Sequence, residues 1–383
     1  MITLWERILS ELAKLQDAAP PRLHGSVVNA VTGAPCVIDG CCAAAVFAAE
    51  YRRTGTECWR TRADGALASV LARQVFRGAV EPMWAGDGWR DVPDSLPATG
   101  IALDAYLDAL TRLERTVDEN CAAELSSLLR RCRTKAGGFA HNTVPADGNA
   151  PEVQNATASA LNLLVRIPSG HLAPLEPLYE DLDAALGRLE GGQSGTGFWP
   201  YTFPSALRKL IERAPLDRLS RSLPLPLGGD IMHHLMTLYF ASGYFVFSSA
   251  GASVGMLADA WRWVTDRLQD DGNGGLAIDW SGERVPRFAR SSNARDTNAY
   301  FLAAGAVPRL ASLGVIEGAE AELLTEGLFR HIATSLLGNS DHVPCVAPCE
   351  GPPAITAKIL PMFEQSVAWK GSLMAGLVLE ASG

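Results

Sequence analysis

The sequence lacks several features that would each have indicated a particular class of protein. It has no run of about 18 uncharged apolar residues, the length that a membrane-spanning helix needs. The opening stretch, Met1 to Leu15, carries charges throughout, unlike a secretory signal peptide. Basic residues are outnumbered, since 33 Lys and Arg against 42 Asp and Glu give a formal net charge of −9. We therefore expect a cytoplasmic protein without a nucleic-acid partner, because nucleic acids need a basic surface.

Strictly alternating apolar and polar residues, the pattern of a half-buried strand, are missing as well, and helical spacing dominates. Helices of small apolar residues, such as CCAAAVFAAEYRR, alternate with amphipathic helices, such as Arg60 to Arg77. The first kind should be buried all round and the second kind should cover it. Helices of the first kind are predicted to begin near Asp39, Leu103, Asn155, Asp230, Asp296 and Gln365.

This recurrence predicts an all-α protein with one domain over 1–383, an (α/α)6 barrel of six inner and six outer helices. The loops rich in glycine and aromatic residues all lead from an outer helix into an inner one. They should meet at one end of the barrel, which we call the mouth. The N-termini of the inner helices lie there and favour an anionic ligand. The sequence leaves open the oligomeric state and whether Pro204 to Leu227 forms a lid.

One motif recurs at the mouth: a glycine turn with an aromatic residue, then Asp or Asn, any residue and Thr at the start of an inner helix. It is carried by Gly137-Gly138-Phe139 with Asn155-Ala156-Thr157, by Gly195-Thr196-Gly197-Phe198-Trp199, and by Gly274-Gly275 with Asp296-Thr297. The motif resembles the α/α-toroid superfamily of terpenoid cyclases and protein prenyltransferase β subunits.

That resemblance implies an enzyme of secondary metabolism that cyclises or isomerises an isoprenoid or other apolar substrate after protonating it. An anionic head would sit at the mouth, and a diphosphate head would bring Mg²⁺. The Asp-x-Asp-Asp-Thr motif of class II cyclases matches only at Asp296 and Thr297, and the proton donor's place is taken by Arg295. An arginine does not give up a proton near neutral pH.

Prenyltransferase β subunits hold a zinc ion through Asp, Cys and His. The last mouth loop of this chain carries His342, Cys345 and Cys349, whose spacing allows three zinc ligands. Ordinary loop cysteines beside prolines are the alternative, and the sequence requires no cofactor.

Asp296 is the first candidate for catalysis, with Asn293 and Arg295 beside it at the start of an inner helix. It would serve as a general acid or as a clamp on the ligand; the alternative is a helix cap that complements the dipole. The arginines of the preceding loop could bind a diphosphate or carboxylate in bidentate fashion, or form a solvated surface. They are Arg284, Arg287 and Arg290.

A second candidate group is Asp230 with His233 and His234, three and four residues further along one helix face. A carboxylate that holds an imidazole is a usable acid–base pair. The alternative is a capping aspartate with two half-buried histidines.

His141 is the third candidate. With Asn142 and either Tyr201 or Tyr300 it could form the His/Asn/Tyr set of some toroid polysaccharide lyases; loop capping is the alternative. Substrate contacts are expected from Asn155 of the recurring motif and from aromatic residues in the mouth loops, which could shield a carbocation, stack on sugars or plug the barrel. The aromatic residues are Trp89, Phe139, Trp199, Tyr201 and Trp280.

Three functions compete at this point. The first is a terpenoid cyclase-like enzyme, which we favour because small apolar inner helices predict a dry pocket for an apolar small molecule. The second is a carbohydrate-active (α/α)6 lyase, or a hydrolase that uses two carboxylates such as Asp230 and Asp296. The third is a toroid that binds a partner without catalysis.

Overall fold

The computed structural model describes residues 2–21, 24–28, 35–70, 72–78, 82–84, 89–91, 95–117, 119–145, 150–167, 182–200, 231–248, 254–279, 295–336, 346–347 and 367–380. Among the helices within these ranges, none is long and apolar enough to cross a membrane. The predicted domain limits, 1–383, and the predicted compartment stay predictions.

Helices make up most of the described chain. In chain order they are α1 (Ile2–Asp17), α2 (Val37–Thr54), α3 (Glu57–Ser69), α4 (Ala72–Arg77), α5 (Leu96–Arg112), α6 (Glu119–Cys132), α7 (Gln154–Arg166), α8 (Leu182–Gly192), α9 (Ile231–Ser248), α10 (Gly255–Thr265), α11 (Thr297–Ser312), α12 (Gly318–His331) and α13 (Val367–Glu380). A short π-helix, Ile332–Leu336, continues α12.

Six of these helices form a closed inner ring. The order around the ring is α2, α5, α7, α9, α11 and α13, and α13 packs back against α2. Helices α1, α3, α8, α10 and α12 each pack on an inner helix, while α6 packs on α4, which in turn packs on α5. The predicted (α/α)6 barrel is therefore confirmed, and the order of inner and outer helices is the one that the sequence predicts.

Small residues allow the inner helices to approach one another closely. Gly100 of α5 faces Ser159 of α7, and a Cβ added to this glycine would lie 2.0 Å from the Ser159 hydroxyl oxygen. Along α2 every residue from Ile38 to Glu50 is buried. This explains why these helices have small side chains on every face and lack an amphipathic pattern.

Two details differ from the sequence prediction. The outer helix expected over Arg60 to Arg77 is divided into α3 and α4. The Ser69 hydroxyl donates to the carbonyl oxygen of Ala66 (2.7 Å), and Val70 is extended, so the chain leaves the helix there.

The described chain also contains three short antiparallel pairs of strands. They are β1 (Pro82–Trp84) with β2 (Trp89–Asp91), β3 (Leu268–Asp270) with β4 (Leu276–Ile278), and β5 (Arg295–Asp296) with β6 (Val346–Ala347).

Such strands, two or three residues long, are too short to show an alternating pattern in the sequence.

Three mouth loops contain the same turn, in which the N–H of one residue donates to the carbonyl oxygen four residues on. The pairs are Thr134 with Gly138, Ser194 with Phe198, and Asp271 with Gly275. The fourth residue of each turn, Gly137, Gly197 or Gly274, has a φ of +96°, +86° or +73°. Only glycine adopts this left-handed conformation without strain, which explains the recurring glycines of the motif.

Just beyond each turn, a backbone N–H donates to a side chain of the next inner helix. The bonds run from Phe139 to Thr157 (3.1 Å), from Trp199 to His234 (3.0 Å) and from Ile278 to Tyr300 (3.1 Å). Each acceptor is the fourth residue of its helix: α7, α9 or α11. We call these three side chains the loop anchors. The anchor side chain, at the fourth position of its helix, points away from the lumen. Each residue is rotated by about 100° from the one before it, so the second, sixth, ninth and thirteenth positions point towards the lumen.

The positions that face the lumen carry polar groups that meet across the barrel. Asp104, Asn162 and Tyr239 are the ninth residues of α5, α7 and α9, and Arg309 is the thirteenth of α11. Their side chains contact one another directly. The ninth residues of α5, α7 and α9 lie at the same level of the barrel. These three helices therefore run parallel and their N-termini lie at one end, as the prediction of a mouth requires.

The repeated turn generates a stability prediction at Gly197. A Cβ at this position would lie 2.1 Å from the carbonyl oxygen of Asp259 in α10, and the backbone is left-handed. We expect Gly197→Ala to lower the free energy of unfolding by about 3 kcal/mol, through backbone strain and overpacking. Gly195→Ala, two residues away with open space around it, should change the value by less than about 1 kcal/mol. Urea unfolding of both variants measures the difference, and equal losses would contradict the explanation.

Candidate functional site at the barrel mouth

The floor of the lumen is a buried ionic network centred on Asp104. One carboxylate oxygen of Asp104 accepts hydrogen bonds from the Tyr239 hydroxyl (2.8 Å) and from Arg309 (3.0 Å). The other oxygen accepts from the Asn162 amide (3.0 Å) and lies 3.6 Å from the Nε atom of Arg166. We call these five residues the floor network.

Charge inside this network determines how its members ionise. Burial alone would raise the pKa of Asp104, but the charges of Arg309 and Arg166 outweigh it and hold the pKa well below its usual range. Burial raises the pKa of the Tyr239 hydroxyl far above its usual value. At neutral pH the network therefore holds a carboxylate, two guanidinium groups and a neutral phenol. The lower lumen is polar, so the prediction of an apolar lumen is wrong.

Asn155 lies nearer the mouth, about 10 Å above the floor network at 1.5 Å per residue. It is the second residue of α7 and is 2% exposed. Its amide nitrogen donates to the sulfur of Met236 (3.2 Å), whereas its carbonyl oxygen has no hydrogen-bond partner among the described residues. A buried acceptor without a partner destabilises the protein unless a ligand or water supplies a donor. The predicted role of Asn155 as a substrate contact stays a prediction.

His141 lies in the loop before α7 and is half-buried. Its Nδ1 atom is hydrogen-bonded to the amide oxygen of Asn142, which places the proton on Nδ1 and leaves the lone pair on Nε2. The carbonyl oxygen of His141 accepts from the N–H of Leu96, the first residue of α5 (2.8 Å). The loop is therefore tied to the ring, and the imidazole has the tautomer that a general base needs.

His233, the third residue of α9, interacts electrostatically with His141. Burial lowers the pKa of His141, the hydrogen bond to Asn142 opposes this, and the charge of His233 lowers the pKa further. His233 is half-buried. The structure thus couples electrostatically two imidazoles that lie 92 positions apart in the chain, one beside the N-terminus of α5 and one at the N-terminal end of α9. The sequence analysis named both histidines but did not pair them.

His234 is placed differently from its neighbour. It is fully buried, accepts from the N–H of Trp199 through Nδ1, and lies 3.3 Å from the carbonyl oxygen of Ala260 through Nε2. Burial lowers its pKa to about 3. With both nitrogens bonded to backbone atoms, His234 acts as a loop anchor, and we do not include it in the proposed catalytic set.

Several aromatic candidates also lie between the inner and outer layers. Phe139 and Trp199 are buried, and the Trp199 indole N–H donates to the carbonyl oxygen of Leu189 in α8 (3.0 Å). Tyr300 is fully buried and its ring lies 5.1 Å from that of His331. These contacts favour a role in holding the loops, the plug alternative of the sequence analysis.

Only some of the remaining candidate residues lie within the described ranges. Arg295 and Asp296 form β5, paired with β6 of the last loop, directly before α11; Trp89 lies in β2. Ten other residues named in the sequence analysis lie outside the described residues: Asp230, Tyr201, Trp280, Arg284, Arg287, Arg290, Asn293, His342, Cys345 and Cys349. Their roles, including zinc binding, stay predictions. The described ranges contain no group of three or more His, Cys, Asp or Glu side chains that could hold a metal.

Sequence reasoning missed a second imidazole–carboxylate pair. The Nδ1 atom of His331, at the end of α12, is 2.7 Å from Asp271 in the hairpin of β3 and β4. This bond and the N–H groups of Asn273 and Gly275 keep the pKa of Asp271 well below its usual range. The two residues are 60 positions apart, and neither lies at the start of an inner helix, so no spacing signal indicated the pair.

Comparison with known proteins gives matches among solved structures only. No family model and no curated protein sequence matches this chain. The unsaturated glucuronyl hydrolase from Bacillus sp. GL1 aligns with a TM-score of 0.61 at 14% identity, over 97% of this chain and 96% of that chain. A polysaccharide lyase gives 0.59 at 11% over 99% and 98%. Cellobiose 2-epimerase from Bacillus thermoamylovorans B4167 gives 0.59 at 11% over 98% and 100%.

At identities this low the likeness establishes the (α/α)6 fold over the whole chain and not the activity.

The predicted relationship to terpenoid cyclases and protein prenyltransferases is wrong, because these whole-length structural neighbours are carbohydrate-active enzymes. The isoprenoid or apolar substrate and the role in secondary metabolism rested on that relationship and are wrong with it. The expectation of Mg²⁺ with a diphosphate loses its basis. The cause of the error is physical: the motif encodes the glycine turn and its loop anchor, such as Phe139 on Thr157. Any barrel of this kind can use that device, whatever its chemistry.

The buried His234 generates a prediction about pH. Its folded pKa of about 3 lies below the ordinary value of about 6.5, so the unfolded chain binds a proton between these values that the folded chain does not. The stability that His234 contributes is therefore present above about pH 6.5 and is lost as the pH falls towards 3, by about 1.4 kcal/mol per pH unit. We expect His234→Asn to be less stable than the wild type at pH 7 and to lose about 2 kcal/mol less between pH 6.5 and 5.

Urea unfolding at several pH values measures the two slopes. His24→Asn, at an exposed histidine, is the control for the substitution itself. Parallel slopes for the wild type and His234→Asn would contradict a neutral buried imidazole.

Proposed function

We propose that this protein is a carbohydrate-active (α/α)6 enzyme, a sugar isomerase or a lyase, in which His141 and His233 transfer protons at the mouth. The observation that carries the proposal is an imidazole with Nδ1 held by Asn142 that interacts electrostatically with a second imidazole at the N-terminus of α9. The fold supports it, since structural neighbours include a polysaccharide lyase and cellobiose 2-epimerase. Fold likeness alone does not define a function.

The mechanism begins with His141 as a general base. Its Nε2 atom takes a proton from a carbon next to a carbonyl or carboxyl group of the sugar, and the C–H electrons form an enolate. Burial helps here, because it lowers the pKa of His141 and keeps the imidazole neutral near neutral pH. The N-termini of α7 and α9 point towards the mouth and stabilise the developing negative charge on oxygen.

The fate of the enolate differs between a sugar isomerase and a lyase. In an isomerase the former carbonyl carbon receives a proton, while the hydroxyl proton of the deprotonated carbon moves to the former carbonyl oxygen. In an epimerase a proton returns to the opposite face of the same carbon and the carbonyl group forms again. In a lyase the enolate electrons form a C=C bond, the C–O bond to the next sugar breaks, and the leaving oxygen takes a proton. His233 is the proposed acid in both cases. Asn155 is the proposed contact to a sugar hydroxyl, which would donate to its unpartnered carbonyl oxygen.

One assay in deuterated water distinguishes the reaction classes. An isomerase or epimerase incorporates deuterium into the sugar carbon, a lyase produces a C=C bond that absorbs ultraviolet light, and a hydrolase does neither but releases reducing ends. Mono- and disaccharides and acidic and neutral polysaccharides should be tested in turn. Hydrolysis alone would sink the proposal and favour a two-carboxylate site, for which Asp230 and Asp296 are the candidates. Absence of turnover on every sugar would favour the binding module.

Substitution of the two histidines tests their roles. We expect His141→Gln and His233→Gln each to lower kcat/KM by a factor of about 10² to 10⁴, the usual effect of removing a general acid or base. Glutamine keeps the approximate size and a hydrogen-bonding group, so the thermal midpoint should change little. His24→Gln, at an exposed histidine of the segment whose Gly25 packs against α3, is the control and should keep full activity.

If His141→Gln or His233→Gln keeps the wild-type kcat/KM, the substituted histidine does not take part in the proposed mechanism.

A further inference from the structure

The two proposed catalytic histidines are carried by different inner helices. His141 is tied to α5, because its carbonyl oxygen accepts from the N–H of Leu96 at the start of that helix (2.8 Å). His233 belongs to α9 itself. In the inner ring α7 lies between α5 and α9. The distance between the imidazoles therefore depends on how α5 and α9 are held relative to each other.

The floor network contains a direct bond between these two helices. The Tyr239 hydroxyl of α9 donates to the Asp104 carboxylate of α5 over 2.8 Å, and Arg309 of α11 contacts both groups at 2.9 and 3.0 Å. All three side chains are largely buried. A hydrogen bond to a charged group in such surroundings is short and strong. Side chains in a lumen can move little, since the helices around it are closely packed.

We propose that Tyr239 is a positioning residue: its hydroxyl, bound to Asp104, sets the spacing of α5 and α9 and so the approach of His141 to His233. The inference rests on the proposed function for its catalytic meaning, although the spacing itself can be measured without any substrate. Tyr239 touches neither histidine, because it lies almost two helical turns below His233. It acts on the site through the two helices.

The test uses Tyr239→Phe, which removes the hydroxyl and keeps the ring. The apolar contact between the same two helices, where the Phe240 ring lies against Gly100, stays in place and should preserve the fold. Tyr244→Phe is the matched control, since Tyr244 is a buried tyrosine of the same helix outside the floor network. Thermal unfolding establishes that both variants are folded. If Tyr239→Phe is partly unfolded, both variants are studied in sucrose, which favours the compact state.

The readout is the titration of the His141 imidazole by NMR, assigned with the spectrum of His141→Gln. The pKa of His141 is lowered by burial and by the charge of His233. When α5 and α9 separate, both effects weaken, so the pKa should rise towards the ordinary value in Tyr239→Phe and stay at the wild-type value in Tyr244→Phe. With a turned-over sugar in hand, kcat should fall about tenfold and KM should stay within about a factor of two, the signature of misplaced catalytic groups.

A folded Tyr239→Phe with the wild-type His141 titration would overturn the inference, and so would an equal shift in Tyr244→Phe. These outcomes differ from failure of the proposed function. A wild-type protein that turns over no sugar would remove the catalytic meaning of the histidine pair, whereas the titration would still report whether Tyr239 sets its spacing.

Discussion

The ion pair between Asp104 and Arg309 is the interaction on which the interior of the barrel depends. Helices α5 and α11 lie opposite each other in the inner ring, and the pair joins them across the lumen over 3.0 Å. Each charge is buried, so removing one partner alone would leave an uncompensated charge, at a typical cost of about 3–5 kcal/mol. Hydrogen bonds from Asn162 and Tyr239 complete the coordination of the carboxylate. The pair is thus stable only as part of the network.

The arginines of the network also compensate the aligned helix dipoles of a ring of parallel helices. Each inner helix carries partial positive charge at its N-terminus and partial negative charge at its C-terminus. The C-terminal halves of four inner helices carry arginines that compensate the negative ends, namely Arg52 and Arg53, Arg112, Arg166 and Arg309. The positive ends remain at the mouth. One helix arrangement therefore explains both the charged floor and a mouth suited to an electron-rich ligand or a developing oxyanion.

Much of the architecture follows from the sequence because it depends on local periodicity. Small-residue and amphipathic helices alternate along the chain, and a closed ring is the arrangement that buries the first kind. The floor network does not follow in this way, since Asp104 and Arg309 are 205 positions apart and a lone charge in an apolar helix does not identify its partner. The family resemblance failed for a related reason. The glycine turn and the residue that anchors it, as with Gly137 and Thr157, are required by loop geometry, so they do not indicate which reaction the protein catalyses.

His233 and His234 show what additional information is needed to move from a pattern to a site. Adjacent residues on a helix point about 100° apart, so two neighbouring histidines cannot face the same surroundings. The anchor bond from Trp199 places His234 on the outer side, so the residues on the opposite side of α9 face the lumen. The same argument applies to α7 through Thr157 and orients Asn155 towards the lumen. A sequence motif locates the start of an inner helix, but the side chain that holds the loop decides which of the following residues are available for chemistry.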